Sequence, residues 1–216
     1  MSSLNYGQKS KYLLTVTLIC FRFKGERVMI SESPVKKLVV AVCGSIAAYK
    51  ACELVRNLSK ADFPVRVLMT RNAERFIGRI TFETLSEREV YTDNWELGMV
   101  HMEIKHEAAV FAVIPATANI IGKFANGIAD DVVSSSYLAA NCPVVVAPAM
   151  NPGMYASRPL QRNLKQLRDD GVELIDPAEG LAADGEFGTG KLADIAPIEA
   201  RLKEIYLREI NSHQTK

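Results

Sequence analysis

The chain has 216 residues, a length that suits a single domain able to bury a sizeable core. Nearly half of its residues (48%) are hydrophobic and its formal net charge is +1, so neither property indicates a protein that binds nucleic acid or another polyanion. The three histidines show no metal-ligand spacing, and we therefore expect no metal site.

The cysteines indicate a reducing compartment. They show no C-x-x-C spacing and most of them lie among apolar residues, which is typical of free thiols in a cytoplasmic protein. This pattern argues against both a disulfide framework and a zinc site. The four residues are Cys20, Cys43, Cys52 and Cys142.

The first 35 residues are interpreted as an extension outside the fold. Leu13–Phe21 is apolar, but it lacks the cleavage pattern of a signal peptide and basic residues follow it at once. It is also too short to span a bilayer, so we expect no membrane partner. We predict an extension over residues 1–35, one α/β domain over residues 36–210 and a polar tail over residues 211–216.

The predicted domain begins with a buried strand and a glycine-serine turn. Leu38–Val42 is an apolar run typical of a parallel sheet, and Gly44 and Ser45 separate it from a helix predicted over Ile46–Leu58. Backbone N–H groups and the helix dipole at such a turn favour a phosphate. The turn lacks the G-x-G-x-x-G pattern, so it does not indicate a dinucleotide.

The second predicted strand, Val65–Met69, leads into a polar segment. Thr70–Ala73 has the composition of a capped helix start, and we predict that this helix continues through Phe76. Thr81–Ser86 is predicted to form a helical turn, and Glu89–Thr92 is predicted to form a short edge strand.

Residues 95–106 are predicted to form a polar connection, which contains His101 and His106. A surface or capping role is the ordinary expectation for a histidine in such a segment. The strand Ala108–Ile114 follows, and it ends in the segment Pro115–Asn119. The hydroxyl and amide groups of that segment suit either a helix cap or hydrogen bonds to the polar edge of a ring.

The stretch Pro143–Tyr155 combines a predicted buried strand with an exposed loop. Its valine-rich start is typical of a parallel strand, and Pro148 ends that strand before Met150 and Asn151. Ligands of open α/β sheets bind at the C-terminal ends of the strands. The amide of Asn151 can donate two hydrogen bonds to a carboxylate while its oxygen accepts from a neighbour.

The rest of the chain continues the alternation of strands and helices. Helices are predicted over Val132–Ala140, Leu160–Leu167 and Ile198–Leu207, and a strand over Val172–Ile175. Asp176–Leu192 is predicted to be a long loop of the kind that forms a functional lid. The pattern predicts a three-layer, doubly wound parallel sheet of the Rossmann or flavodoxin-like class.

Several of these segments resemble the flavin-dependent cysteine decarboxylases, a family that includes phosphopantothenoylcysteine decarboxylases and lantibiotic peptide decarboxylases. Pro148–Tyr155 is similar to the substrate loop of the family and Gly44–Lys50 to its first flavin loop. Val100–Ile104 resembles the family's His-Ile-Glu-Leu motif, and Gly188–Leu192 resembles the end of its flap. The resemblance extends over most of the chain from Lys37 to Leu207.

The resemblance implies a flavoenzyme that removes the carboxylate of a C-terminal cysteine. FMN would oxidise the CH2–SH group to a thioaldehyde, because cysteine alone would lose CO2 to an unstabilised carbanion. His101 would be the base, while Asn151 and Met150 would bind the substrate. The residues implied to contact FMN are Gly44, Ser45, Ile46, Thr70, Arg71, Asn72, Phe76, Ala116, Thr117, Ala118, Asn119 and Ala149.

One position departs from the family. Phosphopantothenoylcysteine decarboxylases carry a cysteine in the flap that protonates the enethiol product, and Asp184 stands at its place. A carboxylate is a poor proton donor at neutral pH unless burial raises its pKa. Decarboxylation itself does not need this acid, since the peptide decarboxylases stop at the enethiol.

Three functions therefore remain open at this point. The leading expectation is a phosphopantothenoylcysteine decarboxylase of coenzyme A biosynthesis without a fused synthetase domain. The alternatives are a peptidyl-cysteine decarboxylase that releases an enethiol, and a non-catalytic flavoprotein that acts as a regulatory subunit. A flavin prenyltransferase of related fold fits the Pro148–Asn151 motif less well. The family also implies a homotrimer or a dodecamer built of trimers.

Overall fold

The computed structural model describes residues 35–96 and 98–214, together with the backbone of two short strands, β1 (Phe21–Phe23) and β2 (Glu26–Val28). These two strands pair with each other in antiparallel fashion within a unit over residues 1–34, and residues 35–216 form a second compact unit. The remainder of the predicted extension, with Cys20 and nearly all of Leu13–Phe21, lies outside the described residues.

The second unit is built on a sheet of six parallel strands. Their order across the sheet is β5-β4-β3-β6-β7-β8, so the chain reverses direction across the sheet between β3 and β6. This is the order of a doubly wound Rossmann-type sheet, and it confirms the predicted fold class. The strands are β3 (Lys37–Val42), β4 (Val65–Met69), β5 (Val90–Tyr91), β6 (Ala108–Ala116), β7 (Val144–Pro148) and β8 (Glu173–Leu174).

Helices cover both faces of this sheet. The helices are α1 (Ala48–Lys60), α2 (Arg79–Ser86), α3 (Val100–Glu107), α4 (Ala118–Ala125), α5 (Val132–Ala139), α6 (Pro152–Ala156), α7 (Arg158–Asp169) and α8 (Ile195–Gln214). Helices α1, α2 and α8 pack on one face, and α3, α4, α5 and α7 pack on the other. No helix within the described ranges is long and apolar enough to cross a membrane.

The two cores follow from the alternation of side chains along each strand. In β3, the side chains of Leu38 and Val40 join the core beneath α1, whereas those of Val39 and Ala41 join the core on the opposite face. All four are completely buried. Because both faces are covered, the strand reads as a continuous apolar run in the sequence.

Two segments predicted to be irregular are regular in the structure. The polar connection predicted over residues 95–106 contains α3, because Val100, Ile104 and Glu107 are spaced to bury one helical face. The long loop predicted over Asp176–Leu192 contains an antiparallel hairpin of β9 (Ala178–Leu181) and β10 (Phe187–Lys191). Its glycines hid the strand pattern, since glycine has low β-propensity.

Helix ends also differ from the predicted bounds. Helix α1 begins two residues later than predicted, and the segment after β4 forms only a 3-10 turn over Ala73–Arg75. Helix α8 begins before Pro197 and continues through residue 214, into the predicted polar tail. Proline is tolerated in the first turn because the N–H groups there have no helical partner, and no glycine or proline follows to end the helix.

A buried ionic network attaches α3 to the strands beneath it. The carboxylate of Glu107 is 5% exposed and accepts hydrogen bonds from Lys37 and from Arg66, whose Nε lies 2.9 Å away. The Arg66 guanidinium lies 4.8 Å from the centroid of the Tyr91 ring and donates to the Glu89 carbonyl oxygen. Among the described residues, removing Glu107 would leave Lys37 without an ion pair and Arg66 with Glu103, whose nearest oxygen is 3.7 Å away.

We expect Glu107→Ala to lower the free energy of unfolding by about 3–5 kcal/mol, because Arg66 and Lys37 would lose their shared carboxylate. Urea denaturation followed by circular dichroism measures this change. Asp169→Ala is the control, since the Lys165–Asp169 pair on α7 is exposed and removing it should cost about 0.5 kcal/mol or less. Equal losses in both variants would contradict the structural role of the network.

Candidate functional site

The loops that follow five of the parallel strands, β3 to β7, meet at the C-terminal edge of the sheet. They border a cavity of about 660 Å³, which we call the larger cavity. This volume lies within the range of roughly 300–1,000 Å³ that is typical of sites for small molecules and cofactors. The predicted site residues that line it are Gly44, Ser45, Thr70, Arg71, Asn72, Thr117, Ala118, Asn119, Ala149 and Met150.

Backbone hydrogen bonds fix these loops relative to one another. The N–H of Cys43 donates to the Pro115 carbonyl, and the N–H of Ala149 donates to the Ala116 carbonyl. Gly44 lies so close to the next loop that an added Cβ would come within 2.6 Å of the Asn72 Cβ. The turn after β3 therefore requires glycine because of this close approach.

Three hydroxyl groups along these loops act as local caps. The Ser45, Thr70 and Thr117 hydroxyls accept hydrogen bonds from the N–H groups of Ala47, Ala73 and Ile120, each at 3.3 Å. A hydroxyl that accepts one hydrogen bond still has a proton to donate. The capping role and a role in holding a ligand are therefore compatible at each position.

Charged groups are distributed unevenly around the larger cavity. Lys123 Nζ lies 2.6 Å from a carboxylate oxygen of both Asp130 and Asp131. Burial disfavours its charge, but these hydrogen bonds outweigh burial and raise the pKa of Lys123, and the bond from Lys123 lowers the pKa of Asp130. Arg71 forms no ion pair with the described residues, so its charge is available to an anionic ligand.

The amide of Asn151 uses all of its hydrogen-bonding groups. Its oxygen caps α6 by accepting from the N–H groups of Gly153 at 2.7 Å and Met154 at 3.3 Å. Its nitrogen donates one hydrogen bond to Asp184 and another, 2.8 Å long, to Glu186. The side chain thus presents both of its amide hydrogens to carboxylate oxygens, which here belong to the protein itself.

The β9–β10 hairpin, which we call the flap, approaches the Asn151 loop closely. A Cβ added at Gly190 would lie 2.4 Å from the Met150 carbonyl oxygen, and one at Gly188 would lie 2.9 Å from the Pro152 Cβ. The Met150 N–H donates to the Gly190 carbonyl at 2.9 Å. The flap and the start of α1 enclose a second cavity of about 390 Å³, which we call the smaller cavity and which Asn151 and Asp184 border.

Some predicted site residues lie elsewhere. Ile46 borders the smaller cavity, whereas Phe76, Ala116 and His101 border neither cavity. Phe76 is half-exposed after the 3-10 turn, and Ala116 is fully buried at the end of β6. His101 lies in the first turn of α3, and its Nδ1 is buried without a hydrogen-bond partner among the described residues.

Sequence reasoning missed Glu186, which shares the Asn151 amide with Asp184. The two carboxylates lie together because the flap turns sharply between Ala182 and Glu186, where Gly185 has a φ of +88°. The Asp184 carboxylate also accepts from the Glu186 N–H at 3.1 Å. An acidic residue on each side of a glycine in a loop was the available signal, but it did not indicate contact with Asn151.

Comparison with known proteins shows the family to which the chain belongs. A family model described as Flavoprotein matches residues 28–205. The coenzyme A biosynthesis bifunctional protein CoaBC of Bacillus subtilis is 44% identical over 163 residues, which cover 74% of this chain and 40% of that protein. The chain thus spans less than half the length of this bifunctional relative. The protein of Streptococcus mutans named probable phosphopantothenoylcysteine decarboxylase is 38% identical, with coverage of 78% and 98%.

Solved structures show the same similarity. A PPC decarboxylase mutant complexed with pantothenoylaminoethenethiol superposes with a TM-score of 0.74 at 27% identity, covering 80% of this chain and 98% of that one. The FMN-dependent cysteine decarboxylase SpaF superposes with a TM-score of 0.68 at 33% identity, covering 79% and 97%. The similarity therefore extends over about four fifths of this chain and nearly the whole of each of the two other chains.

We expect Gly190→Ala to separate the flap from the Asn151 loop, because the new methyl group would collide with the backbone of Met150. The free energy of unfolding should fall by about 1–3 kcal/mol, as for overpacked sites, and limited proteolysis should cleave the flap faster. Thr189→Ala is the control, since Thr189 is exposed on the same strand. A flap equally resistant in both variants would contradict the close packing.

Proposed function

The chain belongs to the flavoprotein family, and we propose that it is an FMN-dependent decarboxylase. It removes the carboxylate from the cysteine moiety of phosphopantothenoylcysteine and gives phosphopantetheine, a step of coenzyme A biosynthesis. The observation that carries this proposal is the Asn151 amide, which directs both of its hydrogens at carboxylates beside the smaller cavity. A substrate carboxylate would take the place of the flap carboxylates there. The similarity to the Streptococcus mutans protein supports the choice of substrate.

The residues around the larger cavity fit FMN. Gly44 has no side chain, as its close approach to Asn72 requires. The N–H groups of Gly44 and Ile46 have no hydrogen-bond partner in the described part of the chain. Such a turn before a helix suits a phosphate. Thr117 and Asn119 would hydrogen-bond the polar edge of the ring, and Ala149 would contact the ring.

Each proposed site residue has a distinct role. When bound, FMN supplies the electron sink, since it oxidises the CH2–SH group so that a C=S bond stands beside the carbon that bears the carboxylate. Asn151 orients that carboxylate through its two amide hydrogens. His101 is proposed as the base, and Asp184, which contacts Asn151, is proposed as the proton donor in place of the family's cysteine.

The position of His101 supports a site completed by a second copy of the chain. Its Nδ1 has no partner in the described residues, and Met99 and Met102 on either side of it are exposed. Trp95, in the preceding segment, is 77% exposed. We propose that these apolar side chains are covered in a homotrimer, or in a dodecamer built of trimers.

A second candidate is a peptidyl-cysteine decarboxylase that releases an enethiol. It is favoured by Asp184 at the place of the flap cysteine. The third candidate is a non-catalytic flavoprotein subunit, which also tolerates the loss of that cysteine. All three functions use the same cavity, and they differ in what happens to a substrate cysteine.

We propose that the protein works in the cytoplasm. Cys43, Cys52 and Cys142 are free thiols, as expected in a reducing compartment. Burial raises the pKa of Cys43 to about 12, so this thiol stays protonated and unreactive at neutral pH.

The purified protein should carry FMN and should release CO2 from phosphopantothenoylcysteine, and mass spectrometry should show a product lighter by CO2. A peptide that ends in cysteine is the parallel substrate. Preference for the peptide would support the second candidate, and no CO2 from either substrate would support the third. A colourless protein that takes up no added FMN would contradict all three.

Under single-turnover conditions, the protein should lose CO2 quickly but form the saturated thiol slowly, because a carboxylate replaces the family's cysteine acid. A transient product lacking two hydrogens identifies the enethiol by its mass. Asp184→Cys should speed the second step, and His101→Asn should abolish CO2 release. Fast formation of the saturated thiol by the unmodified protein would show that Asp184 or another group already replaces the cysteine.

Light scattering should give a mass of three chains or a multiple of three. Met99→Asp should dissociate the assembly, because it places a charge on the exposed face beside His101. The control is Leu207→Asp, since Leu207 is 52% exposed on α8, which packs on the other face of the sheet. A monomeric unmodified protein, or equal effects of both variants, would contradict the proposed interface.

A further inference from the structure

The smaller cavity has an unbalanced set of charges. Besides Asn151, its lining includes two lysines, Lys50 from the first turn of α1 and Lys191 from the flap. Asp184 is the one acidic residue among the described residues that line it, and its carboxylate is hydrogen-bonded to Asn151. Glu186, which does not line the cavity, shares the same amide, so both nearby carboxylates bond to Asn151 and neither forms an ion pair with these two lysines.

Neither lysine has a partner among the residues that the structure describes. Within residues 35–96 and 98–214, no hydrogen bond or ion pair reaches the ammonium group of Lys50 or Lys191, whereas Lys37, Lys123 and Lys203 each pair with a carboxylate. Lys50 also stands in the first turn of α1, which contains no acidic residue. A cation at this end of a helix is unfavourable unless an anion binds beside it.

Gly180 on the flap leaves room for the aliphatic part of the Lys191 side chain. Gly180 lies on the neighbouring strand, and a Cβ there would come within 3.1 Å of the Lys191 Cδ and 3.9 Å of its Nζ. The aliphatic part of Lys191 therefore lies across Gly180, where any side chain would displace it.

We propose that Lys50 and Lys191 bind the phosphate of the substrate in the smaller cavity while Asn151 binds its carboxylate. This assignment rests on the decarboxylase proposed above and deepens it by naming the residues that bind the substrate phosphate. Lysine ammonium groups bind phosphate as point charges with charge-assisted hydrogen bonds. A cavity of 390 Å³ suits a small molecule with an anion at each of two positions.

The flavin phosphate is the competing ligand for these charges. Lys50 lies five residues after Ser45, which borders both cavities, but Lys50 itself borders only the smaller one. Arg71, in contrast, borders only the larger cavity and is without an ion pair to the described residues. Arg71 is thus available to a phosphate in the larger cavity, and Lys50 and Lys191 are available to one in the smaller cavity.

The test compares phosphopantothenoylcysteine with pantothenoylcysteine, which lacks only the phosphate. Steady-state CO2 release is measured with FMN-loaded protein and with the variants Lys50→Gln, Lys191→Gln and Lys60→Gln. Lys60 is the matched control, because it is exposed at the other end of α1 and is without an ion pair to the described residues. We expect kcat/KM for the phosphorylated substrate to fall about tenfold in each of the first two variants, through KM.

With pantothenoylcysteine, the three variants should match the unmodified protein. Equal losses on both substrates, no loss on the phosphorylated one, or no preference of the unmodified protein for the phosphate would each overturn the assignment. A lower FMN content in Lys50→Gln would also overturn it, since this lysine would then serve the flavin.

Binding measurements keep the two proposals distinguishable. If the unmodified protein releases CO2 from neither substrate, the decarboxylase proposal fails, and calorimetry then compares the binding of both compounds to the same variants. Tighter binding of the phosphorylated compound that is lost in Lys50→Gln and Lys191→Gln would support the phosphate site on its own. Equal binding of the two compounds would overturn it.

Discussion

The candidate site depends on the contact between the flap and the loop after β7. At Gly190 the two backbones are so close that no side chain fits between them, and the Met150 N–H donates across the contact. This contact sets the position of the flap carboxylates relative to Asn151 and completes the wall of the smaller cavity. The Ala149 N–H in turn ties the loop to Ala116 at the end of β6.

The sheet determines where that contact occurs. Because β3 and β6 are neighbours that lead to helices on opposite faces, the loops after them diverge and leave a crevice between them. Burial of both faces holds this edge rigidly, and the close approach at Gly44 shapes one side of the crevice. The flap then adds a second compartment beside the crevice, which a doubly wound sheet alone does not provide.

The sequence predicts the strands of this structure well and its irregular parts less well. Val65–Met69 is bounded as predicted, because a fully buried parallel strand appears as a continuous apolar run. Residues 95–106 were predicted to be a connection, because Val100 and Ile104 are too few apolar residues to reveal a short helix against its polar neighbours. The partnership of Glu186 with Asn151 could not be predicted, since it joins residues 35 positions apart through a turn that local patterns do not specify.

The hydrogen bonds of Asn151 also affect how substrate binds and product leaves the site. Asp184 and Glu186 behave as a tethered ligand for the amide, with a high effective concentration. Any free carboxylate binds there only by displacing them, so its measured affinity is weaker than the affinity of the bare amide. A product that has lost its carboxylate no longer competes for the amide. In the proposed reaction, the flap therefore favours departure of the product without closing the site to the next substrate.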